Sequence, residues 1–228
     1  MIHTQKSVAG MIRKIILVLI LLSCTVIYFY THHVDGLIPE NPRLERVIRK
    51  QLGKKHLTEQ DLEEVTRLFI NAKYGSAKKL DGIERLKNLE SLIVYPGKIR
   101  NLEPITKINH LTYLCVNRNP VSSYEPISKC IYLEGLDLCY QKNVDLKYLE
   151  NLTELKDIDL GMCNLDSIDE LKNLNPERVI LWNNNISCLP DLSGWTNIKE
   201  VYVGCNPIAQ NHDIVDENNR VRMSYFGK

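Results

Sequence analysis

The chain has 228 residues, of which 25% are charged and 44% are hydrophobic, a composition typical of folded domains rather than of disordered segments. The formal net charge is +1, but residues 1–30 contain three basic side chains and no acid, so the remainder carries +1 − 3 = −2. Because phosphate binding requires a basic face, this near-neutral remainder argues against nucleic acid as a partner.

Motifs that would indicate catalysis or a bound metal are missing from the sequence. The seven cysteines form no CxxC pair and no cluster with histidines, which argues against a structural zinc site. The sequence also lacks a phosphate-binding loop and a G-x-S-x-G motif. We therefore predict a protein without enzymatic activity, cofactor or metal.

The first structural signal along the chain is an uncharged apolar run from Ile15 to Tyr30. Basic side chains precede the run, and no Lys or Arg follows it until Arg43, an asymmetry that predicts a cytoplasmic N-terminus. We expect a cytoplasmic basic tail at 1–14, a transmembrane signal anchor at 15–31 and a linker at 32–40. This topology makes the protein a single-pass protein of the cell membrane.

Two other interpretations of the apolar run stay open. A cleaved signal peptide also has a basic start and an apolar core, and a lipoprotein signal would use Cys24 as the lipidated residue. Both fit the apolar residues that follow Cys24 less well than an uncleaved anchor does. All three interpretations place residues 36–228 outside the cytoplasm.

The next segment, residues 41–80, has the pattern of a helical N-terminal cap. Asn41-Pro42 is a favourable helix start, Gly53 a plausible stop, and Thr58 with Asp61 resembles a capping box. Apolar residues at helical spacing predict two short amphipathic helices, the second with a stripe of Leu62, Val65, Leu68 and Phe69.

From Leu89 onward, one pattern returns six times, about every 22 residues. The pattern is LxxLxLxx(N/C)xL, and its first residue, numbered position 0 here, is Leu89, Leu111, Leu133, Leu155, Pro176 and Ile198 in the successive copies. This is the leucine-rich-repeat signature. It predicts an α/β solenoid at residues 81–208, with a parallel β-sheet on the concave side and short turns or 3₁₀ pieces on the convex side. Residues 209–228 would form a short C-terminal cap or tail.

One copy departs from this pattern and several positions carry cysteine. The third copy has Asn143 at position 10, and the adjacent Val144 predicts a one-residue bulge. Cys163 takes the consensus Asn/Cys position and is expected to be buried. Cys115 and Cys139 lie two residues out of step on adjacent strands, roughly 8 Å apart and beyond disulfide reach, so we predict free thiols.

Residues 38–208 resemble an internalin-type leucine-rich-repeat domain, a bacterial surface class. The resemblance is carried by LTEQDLEEVTRLF in the cap, the link KKLDGIERLKNLESL, and the convex turns NLEPITKI and DSIDELKNL. It implies a curved domain that binds a protein partner through its concave sheet. The chain has no Leu-Pro-x-Thr-Gly motif for wall sorting, so anchorage is expected to be through the N-terminal segment. Similar 22-residue repeats also occur in intracellular regulators of protein phosphatase.

Candidate partner-binding residues are those at positions 2, 4 and 6, which point away from the predicted core. Exposed aromatic side chains beside charges are common anchors of protein interfaces. On this basis the candidates are Tyr95, Tyr113, Asp137, Asp159, Arg178, Trp182 and Tyr202. Asp137 and Asp159, with Asp157 as a further candidate, fall on adjacent strands, where they could bind a cation or a basic side chain. A solvated acidic patch balanced by Lys156 and Arg178 is the plainer interpretation.

The leading functional hypothesis is a membrane-anchored extracytoplasmic module that binds a protein, or less plausibly a glycan, of unknown identity. The alternative is a regulator or scaffold of another protein in the same membrane, similar to the phosphatase regulators. Membrane association would depend on residues 15–31 in either case.

Overall fold

The structure is a computed structural model that describes residues 36–210. The chain divides into two units, Met1–Pro39 and Glu40–Lys228, and the fold described below belongs to the second. The predicted basic tail, the predicted anchor at 15–31 and nearly all of the tail at 209–228 lie outside the described residues. Among residues 36–210, the helices are too short or too polar to cross a bilayer.

Helix α1 spans Pro42–Leu52 and helix α2 spans Glu59–Glu63, as the capping signals predicted. The Asn41 side chain accepts a hydrogen bond from the Leu44 N–H at 3.1 Å, and Gly53 ends α1 in the left-handed conformation, with φ 68°. Thr58 and Asp61 form the predicted capping box of α2. The buried face of α1 is the predicted apolar stripe, with Leu44, Val47 and Ile48.

The apolar stripe predicted for the second helix is wrong beyond α2. Leu68 and Phe69 lie in a strand, β1 at Arg67–Ile70, in which Leu68 pairs with Leu92 of the first repeat. Val65, Leu68 and Ile70 are buried and occupy positions 0, 3 and 5 of a repeat. Because a spacing of three residues is common to a helix and to this repeat, the sequence pattern did not separate them.

Seven parallel strands form one sheet in chain order. The strands after β1 are β2 Ser91–Val94, β3 Tyr113–Cys115, β4 Gly135–Asp137, β5 Asp157–Asp159, β6 Arg178–Ile180 and β7 Glu200–Tyr202. Short 3₁₀ helices return the chain on the opposite side, at Ile83–Arg85, Glu103–Lys107, Glu125–Lys129, Leu146–Tyr148, Asp169–Leu171 and Pro207–Gln210. This arrangement confirms the predicted leucine-rich-repeat solenoid. Its core is the space between sheet and 3₁₀ layer, which each copy fills with buried side chains from positions 0, 3 and 5.

Buried polar side chains at position 8 tie successive copies together. Asn184 donates to the carbonyl oxygens of Leu160 and Leu181, both at 2.8 Å, and accepts from the N–H groups of Cys163 and Leu165, both at 3.0 Å. Its amide thereby satisfies buried backbone groups of the preceding copy as well as its own. The same position holds Asn119, Gln141, Cys163 and Asn206, all buried.

Two copies depart from the repeat pattern, the first at position 8 and the third at position 10, and both departures have local explanations. In the first copy position 8 is Gly97, where a Cβ would lie only 2.0 Å from Oδ1 of Asn119, so no larger residue fits beside that amide. In the third copy Asn143 is exposed with φ 57°, while Val144 is buried in its place. The predicted bulge is therefore confirmed.

Candidate functional site

The predicted site residues fall into two groups on the concave sheet. Tyr113, Asp137, Asp159 and Arg178 line one pocket of about 210 Å³ on strands β3 to β6. Tyr95 and Trp182 come after strands β2 and β6 and belong to a separate row, described below. Tyr202, on the last strand, donates a hydrogen bond from its hydroxyl to Glu200 at 2.7 Å and does not line the pocket.

The floor of the pocket holds two aspartates on paired strands. Asp137 and Asp159 are register partners. Asp137 accepts from the Asn117 amide at 2.8 Å and from the Cys139 N–H at 3.1 Å, and Asp159 accepts from the Gly161 N–H at 2.9 Å. These bonds hold both carboxylates in place and leave further lone pairs on each one for a ligand.

The pKa of Asp159 is raised to about 6, mainly by burial and also by the charge of Asp137, while the Gly161 N–H and the charge of Arg178 act to lower it. The basic residues predicted to balance the aspartates have other partners. Arg178 Nε lies 2.7 Å from Asp157, and Lys156 Nζ lies 2.9 Å from Glu134. Within residues 36–210, no ion pair involves Asp137 or Asp159. The pocket is therefore suited to accept a positive group from outside the chain.

Tyr113 forms one wall of the pocket because the neighbouring strand has no side chain at Gly135. A Cβ on Gly135 would lie 2.5 Å from the Tyr113 ring, so the ring lies over the backbone of β4. This cover desolvates the hydroxyl and raises the pKa of Tyr113 to about 12. The tyrosine is thus a neutral hydrogen-bonding group beside the acidic floor at physiological pH.

A row of aromatic and cationic side chains crosses the sheet beyond the ends of the strands. It consists of Tyr95, Arg118, Tyr140 and Trp182, and we call it the aromatic row. The guanidinium of Arg118 lies 4.0 Å from the ring centre of Tyr140 and 5.7 Å from that of Tyr95. Tyr140 and Trp182 meet edge to face, with ring centres 6.2 Å apart. Tyr95 and Tyr140 are 41% and 37% exposed, which leaves apolar surface open to a partner.

A glycine also sets the position of Trp182. A Cβ on Gly161 would lie 2.3 Å from Nε1 of Trp182, so the indole lies flat over the backbone of the preceding copy. Gly135 and Gly161 therefore play the same part on neighbouring strands. Each gives an aromatic ring room to lie along the sheet, where the ring is supported from beneath and has fewer conformations to lose when a partner binds.

Sequence reasoning missed Arg118 and Tyr140. Both occupy position 7, which the alternation of strand side chains did not mark as outward. Position 7 has a left-handed backbone in five consecutive copies, at Arg118, Tyr140, Met162, Asn183 and Cys205. At this position the side chains of Arg118 and Tyr140 meet the position 6 side chains of Tyr95 and Trp182, respectively. The signal in the sequence that could have revealed Arg118 and Tyr140 was a large side chain immediately before the Asn/Cys position.

The cysteines take no part in this chemistry. The six within the described residues are free thiols, and burial raises the pKa of Cys115 to about 12. Cys163 is buried and donates to the Leu138 carbonyl oxygen at 3.1 Å. In residues 36–210, no three His, Cys, Asp or Glu side chains come together as a metal site would require.

Together the strand order, the 3₁₀ layer, the buried side chains at position 8 and the α-helical cap define a leucine-rich-repeat solenoid, whose fold is like that of internalins. Among solved structures, the chain is similar to internalin C2 of Listeria monocytogenes, with TM-score 0.62 and 20% identity over 82% of this chain and 95% of that one. It is also similar to internalin F of the same organism, with TM-score 0.60 and 22% identity over 82% of this chain and 63% of that one.

A third similar structure is the functional domain of InlJ from Listeria monocytogenes, which includes a cysteine ladder. Its TM-score is 0.58 and its identity 18%, over 73% of this chain and 37% of that one. No protein-family model and no curated protein sequence matches the chain. At these identities the likeness establishes the fold.

Proposed function

We propose that this protein is a membrane-anchored extracytoplasmic module that binds a protein partner through its concave sheet. The proposal is carried by one observation, the aromatic row beside an acidic pocket. Tyr95 and Tyr140 supply exposed apolar surface beside the half-buried Trp182. Asp137 and Asp159 supply negative charge and form no ion pair among the described residues. Large aromatic anchors beside charged groups are typical of the energetically dominant residues in protein interfaces.

The geometry favours one kind of partner surface. A lysine or arginine side chain inserted over Asp159 would find carboxylates held by the Gly161 and Cys139 N–H groups. Apolar side chains next to that lysine or arginine of the partner would cover Tyr140 and Trp182. We expect a partner with one basic residue flanked by aliphatic or aromatic residues. Glycan hydroxyl groups can donate hydrogen bonds to the two aspartates but bring no opposite charge, so a basic protein side chain fits this pocket better.

Photo-crosslinking in native cells tests this assignment. Tyr140 is replaced by benzoyl-phenylalanine, and the control is the same replacement at Tyr132, which is 59% exposed on the flank of the solenoid. We expect one specific protein adduct from position 140 that is missing from position 132. Equal labelling from both positions, or no adduct from position 140, would show that the concave sheet is not the binding surface.

Anchoring is a separate part of the proposal and has a separate test. It is supported by the uncharged run Ile15–Tyr30 and by the basic residues that precede it. The full-length protein should resist alkaline extraction from membranes, and protease added to intact cells should digest the repeats. A protein that is extracted, or that is protected from protease, would contradict the topology and favour a cytoplasmic regulator.

A further inference from the structure

The cap carries a basic groove that the concave site does not use. It lies between helix α1 and the segment after β1, has a volume of about 390 Å³, and is lined by five cationic side chains, Arg43, Arg46, Lys50, Lys78 and Lys98. The other lining residues are Val47, Tyr74, Gly75 and Ser76. Among the residues that the structure describes, no aspartate or glutamate lines this groove.

Local structure explains why these charges converge. Arg43, Arg46 and Lys50 follow one another at spacings of three and four residues, so they share one face of α1. Lys78 and Lys98 come from the segments after β1 and β2. All five side chains are exposed, and within residues 36–210 none of them is part of an ion pair. The convex lysines differ, since Lys107 is paired with Glu84 and Lys129 with Glu103.

The charge of the chain is divided between cap and repeats. Residues 41–80 contain ten Lys or Arg and five Asp or Glu, a net charge of +5. Residues 81–208 contain 13 Lys or Arg and 18 Asp or Glu, a net charge of −5. The near-neutral total therefore conceals a basic cap. An anionic surface would attract the cap and repel the repeats, and so would favour one orientation of the domain.

We propose that the basic groove of the cap binds the anionic headgroups of phospholipids. The proposal rests on the anchored topology proposed above, because Arg43 follows the predicted anchor by only twelve residues. Such a segment reaches at most about 40 Å even when fully extended, so the cap stays close to the bilayer. Cations at an anionic membrane each strengthen binding roughly fivefold, about 1 kcal/mol.

Headgroups fit the groove better than a nucleic acid or an acidic protein does. The five cations are spread over a helix face and two loops without a continuing basic track along the repeats, which carry net negative charge. A nucleic acid would need such a track to neutralise successive phosphates. A bilayer supplies many separate phosphates in one plane, which matches a compact patch at one end of the domain.

The test uses the full-length chain in nanodiscs of phosphatidylcholine alone or with phosphatidylglycerol. The readout is the rate at which an amine-acylating reagent modifies individual lysines, followed by peptide mass spectrometry. We expect acylation of Lys78 and Lys98 to slow at least fivefold on the phosphatidylglycerol discs and to recover in high salt. Lys107 and Lys172, exposed on the convex side, should react equally on both discs.

A triple variant, Arg43→Gln with Arg46→Gln and Lys50→Gln, should abolish most of the protection at Lys78 and Lys98. The matched control removes the same charge from the convex side, with Lys107→Gln, Lys129→Gln and Lys172→Gln. This control variant should keep the protection. Equal acylation on both disc types would overturn the proposal, as would stronger protection by duplex DNA on phosphatidylcholine discs.

Failure of the anchor would be recognised separately. A chain that alkaline carbonate extracts from phosphatidylcholine discs lacks the proposed anchor. Phosphatidylglycerol vesicles are then added to the extracted chain, and protection of Lys78 and Lys98 again decides whether the groove binds headgroups.

Discussion

The cap and the repeat array are built alike inside and differ outside. Strand β1 of the cap follows the repeat pattern, with Leu68 paired with Leu92 of the first copy, so one core runs through both regions. Their exposed surfaces diverge, since the cap presents cations and the repeats present aspartates and aromatic rings. Stacking dictates the interior and leaves the exterior open to selection. We therefore expect binding to depend on the exposed positions and stability to depend on the buried ones. The following substitutions test that separation.

The largest effect is expected where the interior of the repeats is broken. Asn184→Ala removes the amide that serves Leu160, Leu181, Cys163 and Leu165. Several buried backbone groups then lose their partners, so the free energy of unfolding should fall by about 3 kcal/mol or more. The measurement is urea denaturation, and the control is Asn185→Ala at the exposed neighbouring position, where the loss should stay under about 0.5 kcal/mol. Equal losses would show that the ladder does not hold the copies together.

The second-largest effect is a rise in the free energy of unfolding, and it is expected at the proposed binding surface. The pKa of Asp159 is about 6 in the folded protein and 3.8 when unperturbed, so the folded state binds the proton more tightly. Its contribution to stability is fully present below pH 4 and is lost as the pH rises through 6. Above pH 6 the folded protein must bury a charged carboxylate at this position. Asp159→Asn removes the cost of burying that charge and keeps an oxygen that accepts from the Gly161 N–H. The full shift would correspond to about 3 kcal/mol, but the carboxyl is partly exposed and therefore screened by solvent, so we expect the free energy of unfolding to rise by about 2 kcal/mol at pH 7.5.

The gain from Asp159→Asn should disappear below pH 4, where the native carboxyl is protonated. Unfolding curves at several pH values measure it, with Asp169→Asn on the convex side as the control for removing one charge. A pH-independent gain would mean that burial does not penalise Asp159. A stabilising substitution at a site that the protein nevertheless keeps as aspartate would sharpen the separation between surface function and interior stability.

The smallest effect on stability, with a clear effect on binding, is expected from Gly161→Ala. The added Cβ would lie 2.3 Å from the Trp182 indole, which must move, whereas the backbone need not. We expect roughly tenfold weaker partner binding, about 1.4 kcal/mol, with thermal unfolding nearly unchanged. Gly194→Ala is the control, because its nearest neighbour would be 3.6 Å away, an ordinary contact. Unchanged affinity for the Gly161 variant would mean that the pose of the indole is unimportant.

The sequence specified the fold well because its repeat is imposed by burial. The apolar residue at position 3 of each copy pairs with its counterpart in the next copy, so the register of β2 to β7 followed from spacing alone. Strand β1 was not predicted, because the spacing of Val65 and Leu68 fits a helix equally well. The capping signals at Asn41, Gly53 and Thr58 depend on local chemistry and were read correctly.

The site was predicted only in part, because it depends on what lies beside each side chain. Strand alternation placed Asp137 and Asp159 together, but the absence of an ion pair to either one depends on Arg178 pairing with Asp157 instead. Tyr140 was missed because a left-handed backbone directs it toward Trp182. Local backbone conformation and the choice among ion-pair partners are not encoded in a periodic pattern.

The central claim is that the aromatic row of the concave sheet binds a protein, and one measurement tests it most directly. The partner captured through position 140 is purified, and its affinity for full-length protein is measured with Trp182→Ala and, as the control, with Tyr132→Ala on the flank. The account predicts a loss of about 2 kcal/mol, roughly 30-fold, for Trp182→Ala and no change for Tyr132→Ala. Equal affinities for the two variants would contradict it.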